Sequence, residues 1–387
     1  MESGTASADT ITQQIANPSH ATNVAPRHLP ASDTRLPIIT DSQDRSRPFP
    51  YNPNVLAKAG VWLDRAAFKP ASLPDDLITA IALCPAVIAG LVLFHTSAFE
   101  MLGIAVVAGG VGVGVAHWIW RHHRPRPGAG AMLAAVFGVA LVGAGASAIV
   151  TAEIAVLAVI LEVLRARYAP VIRAQAGLVA YAAVALATRG GPFAYINPAS
   201  GKAFSDPIGT WYHFFSPASA PIDPIRLYVG NVPGPVFATS LLAVAVGIAW
   251  LAYARRVSLA VLSAFAVGAL VAINAFHWDV LFQLDSGPTW FVAGLLLADR
   301  RLLPESWAVR PLLGFAAGLF AVGLRRQGYG IEAALFTVAT IQAVMAVLVI
   351  ALWSISIALE RWKRDRRLRQ REANLRAIKT VQRAGGS

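Results

Sequence analysis

Residues 77–97 read LITAIALCPAVIAGLVLFHTS, and residues 99–120 read FEMLGIAVVAGGVGVGVAHWIW. Each stretch is almost free of charge and has the length of a helix that crosses the hydrocarbon layer of a membrane, about 20 residues. The whole chain shares this character, because 56% of its 387 residues are hydrophobic and only 14% are charged. Soluble globular proteins carry about 25% charged residues. The sequence therefore predicts an all-α, polytopic membrane protein.

The hydropathy pattern predicts ten membrane spans between a polar N-terminal segment and a basic tail. The predicted spans are about 77–97, 99–120, 129–147, 149–165, 174–190, 236–254, 257–275, 284–299, 311–325 and 332–359. The eighth contains Asp285, Gly287 and Pro288, which predict a broken or re-entrant helix. Residues 1–76 are polar and are predicted to be a disordered or amphipathic cytoplasmic segment. Residues 360–387 form a basic cytoplasmic tail.

The distribution of Lys and Arg predicts the orientation in the membrane. With both termini inside, the inner loops between spans carry eleven basic residues and the outer loops carry five. Both polar ends of the chain are also basic, with seven Lys and Arg before residue 77 and ten after Glu360. This asymmetry follows the positive-inside rule and predicts an inner-membrane protein with cytoplasmic termini. Attraction to anionic lipid also explains the basic tail without nucleic-acid binding.

Charged residues inside predicted spans are costly and therefore indicate function. Asp285 lies at the predicted helix break, where a carboxylate and unwound carbonyls suit a cation, although an N-cap role is the simpler alternative. Glu153 has no close partner in sequence and is a second candidate for an ion or proton path. Glu162 lies nine residues further on, on the opposite helix face, where we expect an ion pair with Arg165 or Arg167.

Several other classes of site are excluded by the sequence. The single cysteine, Cys84, excludes disulfide frameworks and Cys-rich metal sites. The histidines lie at different predicted depths, so no bis-histidine haem is expected. His95, His213 and His277 share the predicted outer side, but we expect separate interfacial histidines and no metal site there.

The connection Gly191–Val236 stands out for its length and its content of eight prolines and many aromatic residues. Long loops of this kind are usually functional. Interfacial anchoring explains part of the aromatic content, but the density in residues 204–215 (FSDPIGTWYHFF) exceeds what anchoring requires.

Three segments resemble the NqrB/RnfD family, whose members are membrane components of the sodium-pumping NADH:quinone reductase and of Rnf electron-transport complexes. Val229–Ser240 (VGNVPGPVFATS) is similar to that family's Gly-Asn-x-x-Gly-Ser-x-Gly-Glu-Thr-Ser loop. Asp279–Gly287 followed by Asp299 resembles a second family segment. Arg325 to Glu332 resembles the family's Arg-x-x-Gly-Gly-Tyr-x-Glu-Gly segment. The resemblance covers roughly residues 77–355 and implies an electron-transport subunit that works with other membrane subunits.

The resemblance also implies a flavin, FMN or riboflavin, near the outer loop. The family's Ser-Gly-Ala-Thr motif, whose Thr takes FMN through a phosphoester bond, is missing here. The nearest phrase is Ser205–Trp211 (SDPIGTW), so Thr210 is the candidate for covalent attachment and a local turn is the alternative. Non-covalent binding or no flavin is the favoured expectation. The implied contacts are Asp206, Thr210, Trp211, Gly230, Asn231 and Gly234.

Two further functions stay open at this point. One is a transporter for ions or small molecules, with its site at the broken eighth helix. The other is an accessory or anchoring membrane protein of a biosynthetic cluster.

Overall fold

The computed structural model describes residues 73–119, 129–204 and 224–384, and these are almost wholly helical. The described residues all belong to one compact unit. The predicted all-α fold is confirmed. Most of the N-terminal segment 1–76, including its predicted amphipathic helix, lies outside the described residues, as do Asp206, Thr210 and Trp211.

The bounds of the helices follow the apolar runs of the sequence. In chain order they are α1 (Asp75–Ile119), α2 (Gly130–Ala140), α3 (Ala148–Tyr168), α4 (Ala176–Ala187), α5 (Pro224–Val229), α6 (Leu241–Tyr253), α7 (Leu259–Ala275), α8 (Val280–Leu284), α9 (Gly287–Trp290), α10 (Val309–Gly323) and α11 (Glu332–Ala384).

Three shorter kinds of structure lie between these helices. The chain forms 3₁₀ turns at Gly191–Phe193 and Leu324–Gln327, and a π-helix at Phe291–Leu297 continues directly from α9. Strands β1 (Tyr195–Ile196) and β2 (Ala203–Phe204) pair antiparallel, with Tyr195 opposite Phe204.

The first two predicted spans form α1, which changes direction at His95. His95 has a φ of 46° and a ψ of −118°, a conformation outside the helical region. α1 therefore consists of two helical segments, as the sequence predicts. Two helices in the described part of the chain are long and apolar enough to cross a membrane, α1 and residues Glu332–Arg371 of α11.

The core surrounds two short helical segments, α2 and the continuous stretch Gly287–Leu297. Nearly all of α2 and the whole π-helix are buried. Their aromatic rings meet where Phe137 contacts Phe291 edge-on, with 6.1 Å between centroids. Both segments are far shorter than the roughly 20 residues of a spanning helix. Their C-terminal ends lie inside protein, where Ala140 O accepts a hydrogen bond from Phe237 N and Ala298 O accepts one from Ser258 N.

Two predicted boundaries are wrong, each because tertiary contacts replace helical hydrogen bonds. The span predicted at 129–147 is helical only to Ala140. The span predicted at 236–254 becomes helical only at Leu241, after the cap of Ser240, whose hydroxyl accepts a hydrogen bond from Ala243 N. At the other end of the chain, α11 passes through Glu360 without interruption, so the basic tail continues the last helix.

Candidate functional site

Residues 230–240 form an irregular segment in the interior of the bundle. Every residue in it is buried except Asn231, which is half-buried. Its backbone is held by the end of α2, since Val236 N donates to Val142 O at 2.9 Å and Phe237 N donates to Ala140 O at 3.2 Å. Such contacts are required, because buried backbone groups must be paired. We call residues 230–240 the buried segment.

The start of α9 packs directly on the buried segment. A Cβ atom added at Gly287 would lie 2.0 Å from the carbonyl oxygen of Thr239. Only glycine allows this approach of two backbones. The first two segments that carry the family resemblance are therefore in contact, although the chain separates them by about 40 residues.

The third of those segments contributes Arg325, which is only 4% exposed. Its guanidinium donates to the backbone oxygen of Gln283 at 2.9 Å, to Gln283 Oε1 at 2.7 Å and to Thr289 Oγ1 at 2.7 Å. Arg325 thereby joins α8 to α9 across the break that separates them. A buried guanidinium needs such partners, because an unpaired buried charge is strongly unfavourable.

Glu332, at the start of α11, lies within electrostatic range of Arg325 and supplies the opposite charge. It also accepts a hydrogen bond of 2.7 Å from the Tyr195 hydroxyl. Burial, and then the neighbouring Tyr181 and Glu332, raise the pKa of Tyr195 well above its ordinary range. Tyr195 is therefore a neutral donor beside a carboxylate. We call Arg325, Glu332, Gln283, Thr289 and Tyr195 the arginine cluster.

Asp285 lies in the break between α8 and α9, as predicted. Its carboxylate accepts a hydrogen bond from Tyr228 and raises the pKa of that tyrosine. The second oxygen, Oδ2, is buried and has no hydrogen-bond partner within the described residues. Asp285 is thus a half-buried carboxylate with one oxygen left for a ligand or a proton.

Glu153 does not join this site. It lies on the exposed face of α3, and no hydrogen bond or ion pair connects it with Asp285 in the part of the chain that the structure describes. Glu162, in contrast, forms the expected ion pair, with Arg165 Nη2 at 2.6 Å from its Oε1.

The buried segment contains Gly230, Asn231 and Gly234, the three residues expected to bracket a flavin. Cβ atoms added at Gly230 and Gly234 would lie 2.6 Å from Ser240 Cα and 2.7 Å from Thr239 Cγ2. These two glycines are packed against their own chain on the side that a Cβ atom would occupy. Their small size serves this internal packing, and the expected role of Gly230, Asn231 and Gly234 beside a flavin stays a prediction.

A second polar cluster lies where α1 begins. Arg256 is 7% exposed, and its Nη1 lies 2.7 Å from Asp75 Oδ1. Asp299 lies 3.6 Å from the same guanidinium and 2.8 Å from Arg301 Nη2, which also donates to Thr79. These ion pairs connect the start of α1 with the residues that follow α6 and with the residues that follow the π-helix.

The described residues contain no group of three or more His, Cys, Asp and Glu side chains placed to hold a metal ion. His95 and His277 instead occupy left-handed backbone positions, with φ values of 46° and 56°. His213 lies outside the described ranges.

Two further buried polar side chains are not among the expected site residues. Tyr181 resembles any core aromatic of an apolar helix, yet it lies fully buried beside Tyr195. The side chain of Gln342, in the last helix, joins two helix ends, accepting from Gln175 N at 2.9 Å and donating to Leu296 O at 3.0 Å. The signal for Gln342 in the sequence is that a polar residue lies within an otherwise apolar span.

No protein-family model and no curated protein sequence matches this chain.

Proposed function

We propose that this chain is a multi-pass inner-membrane subunit of an electron-transport complex of the NqrB/RnfD kind. Two helices of sufficient length and apolarity support membrane insertion. The shorter buried segments, α2 and Gly287–Leu297, are compatible with a membrane because protein surrounds their C-terminal ends. In this proposal both termini are cytoplasmic, and the partners are lipid and other membrane subunits.

One observation carries the electron-transport part of the proposal. The three separate segments with family resemblance meet at one place, through the contact of Gly287 with Thr239 and the hydrogen bonds of Arg325 to Gln283 and Thr289. Segments matched by chance have no reason to converge in space. Their convergence supports a shared architecture for this end of the bundle.

A flavin, FMN or riboflavin, is the cofactor that this proposal implies. When bound, a flavin would supply the redox chemistry, and the chain would bind and orient it. The proposed contacts are Asp206, Thr210 and Trp211 in the long connection, together with Gly230, Asn231 and Gly234 in the buried segment. The aromatic content around these residues suits stacking on a flat ring system.

The visible spectrum of the purified protein tests this function. The chain is expressed with flavin supplied and with its partner subunits, and flavin absorbance is expected in the native preparation. Covalent attachment leaves in-gel fluorescence after denaturation, which Thr210→Ala removes and the control Thr188→Ala retains. Non-covalent binding loses the flavin on denaturation and is weakened by Trp211→Ala. A colourless preparation that fails to bind FMN or riboflavin refutes the electron-carrier proposal.

Reporter fusions test the membrane topology independently of the cofactor. Fusions after Arg173, Arg256 and Arg310 are expected to report the cytoplasm, and a fusion within Gly191–Val236 is expected to report the outside. A cytoplasmic signal from that long connection contradicts the predicted number of spans.

The position of Asp285 supports a second candidate function, that of a transporter. Its unpartnered Oδ2 lies at a helix break, and broken helices commonly form ion and substrate sites in transporters. The Asp285→Asn variant distinguishes the two functions. It is expected to abolish ion-dependent uptake if the chain is a transporter, and to leave a flavin spectrum unchanged if the chain is an electron carrier.

A further inference from the structure

An apolar groove of about 310 Å³ runs between the second segment of α1 and α3. Every residue that lines it is Ala, Val, Gly, Ile or Leu. Its floor on α1 is a row of small residues at intervals of four, Ala108, Gly112 and Ala116. A Cβ atom added at Gly112 would lie 2.1 Å from Val159 Cγ1, so the two helices touch along the floor.

The walls of the groove are open on one side. Val115 on α1 is 49% exposed, and Ile160 on α3 is 48% exposed. The lining on α1 extends from Ala108 to Ile119, a length of about 17 Å at 1.5 Å per residue. Half of a hydrocarbon layer measures about 15 Å. The groove therefore has the length of one acyl chain in one leaflet.

The same end of both helices carries the features of a membrane interface. Trp118 is 73% exposed and Tyr168 is 68% exposed, and such aromatics are typical of the headgroup level. Arg167 follows the groove residues Ile160 and Val163 at helical spacing. It forms no ion pair with the described residues, whereas the nearby Arg165 is paired with Glu162. A cation in this position, at the end of an apolar groove, matches a phosphate attached to a hydrocarbon chain.

We propose that this groove binds one acyl chain of an anionic phospholipid of the inner leaflet, with its phosphate on Arg167. The proposal rests on the multi-pass part of the proposed function and is independent of flavin. Charge favours an anionic phospholipid over an uncharged isoprenoid chain, because only the phospholipid has a phosphate that can pair with Arg167.

Native mass spectrometry of the full chain in mild detergent tests the site, with phosphatidylglycerol or phosphatidylcholine of the same acyl chains added. The wild type is expected to retain one phosphatidylglycerol preferentially. Val115→Trp and Ile160→Trp, one on each wall, fill the groove and are expected to lose that lipid. Val107→Trp, at a position on α1 outside the groove that is 64% exposed, is the matched control and is expected to retain it.

Arg167→Gln is expected to weaken phosphatidylglycerol binding about fivefold and phosphatidylcholine binding less, because the choline cation offsets the charge of that lipid's phosphate. This factor corresponds to the roughly 1 kcal/mol of one basic side chain near an anionic surface. Equal lipid loss in Val115→Trp and Val107→Trp, no effect of Arg167→Gln, or an isoprenoid quinone retained in place of phospholipid would each overturn the proposal.

The results of these experiments distinguish a failure of the lipid-site proposal from a failure of the proposed function. A colourless protein that still retains the lipid refutes electron transport alone. A protein that alkaline carbonate releases from membranes refutes the multi-pass proposal, and the lipid site with it.

Discussion

Replacing Arg325 by methionine is expected to destabilise the protein strongly. Methionine keeps a long, flexible side chain but removes the three hydrogen bonds to Gln283 and Thr289. It also leaves the buried Glu332 without its opposite charge. Leaving a buried charge uncompensated costs about 3–5 kcal/mol, and we expect a loss of this size in the free energy of unfolding.

The matched control is the next residue in the chain. Arg326 is exposed and contacts only a ring face in the described structure, with its guanidinium carbon 4.9 Å from the centroid of Phe276. An exposed cation–π contact is worth about 0.5–1 kcal/mol. Arg326→Met is therefore expected to cost at most about 1 kcal/mol.

A double-mutant cycle isolates the coupling between the two charges. Glu332→Gln removes the carboxylate charge and retains an oxygen that accepts a hydrogen bond from Tyr195. The double variant leaves no unpaired buried charge, so its cost is expected to fall short of the sum of the single costs by about 1–3 kcal/mol. Reversible unfolding in mixed micelles with rising SDS, followed by tryptophan fluorescence and circular dichroism, measures all three variants.

Two results would refute this reasoning. If Arg325→Met costs no more than Arg326→Met, the guanidinium does not hold the break between α8 and α9. If the single costs add within about 0.5 kcal/mol, Arg325 and Glu332 are not coupled.

Gly287→Ala is expected to destabilise by about 2 kcal/mol or more, because its Cβ meets the backbone of Thr239. Gly323→Ala, with open space around the new atom, is expected to leave the midpoint of thermal unfolding unchanged or higher. Asp299→Asn removes a carboxylate shared by two arginines, one of them buried, and is expected to cost about 3 kcal/mol. Glu305→Gln is its control and is expected to cost less than about 0.5 kcal/mol, because that carboxylate is 87% exposed and salt screens its pair with Arg173. Scanning fluorimetry of the four variants in one detergent compares them, and equal shifts within either pair contradict the corresponding argument.

The sequence predicts most helices of this fold because long apolar runs without charge have few alternatives to a buried helix. It also predicts the break at Asp285, where Gly287 and Pro288 follow. It fails at residues 236–240, whose apolar pattern continues smoothly into α6. There the decisive contacts are hydrogen bonds to Ala140 and Val142, almost a hundred residues away, and no local pattern encodes them.

The candidate site is less predictable than the fold. In the sequence, Arg325 and Glu332 stand out because they belong to a segment that resembles the family. Their hydrogen-bond partners do not stand out in this way. The bond from Tyr195 to Glu332 joins residues 137 positions apart. The sequence also cannot distinguish a glycine that admits a ligand from one that admits its own chain, and Gly230 and Gly234 pack against residues 239 and 240.

The last helix connects the arginine cluster to the basic end of the chain. α11 begins at Glu332 and continues for 53 residues to Ala384, a rod of about 80 Å. If a helix of this length tilts by about 5° at Glu332, its far end moves by about 7 Å. A change in the charge interaction of Glu332 with Arg325 that tilts α11 would therefore move the positive charge at the far end of this helix.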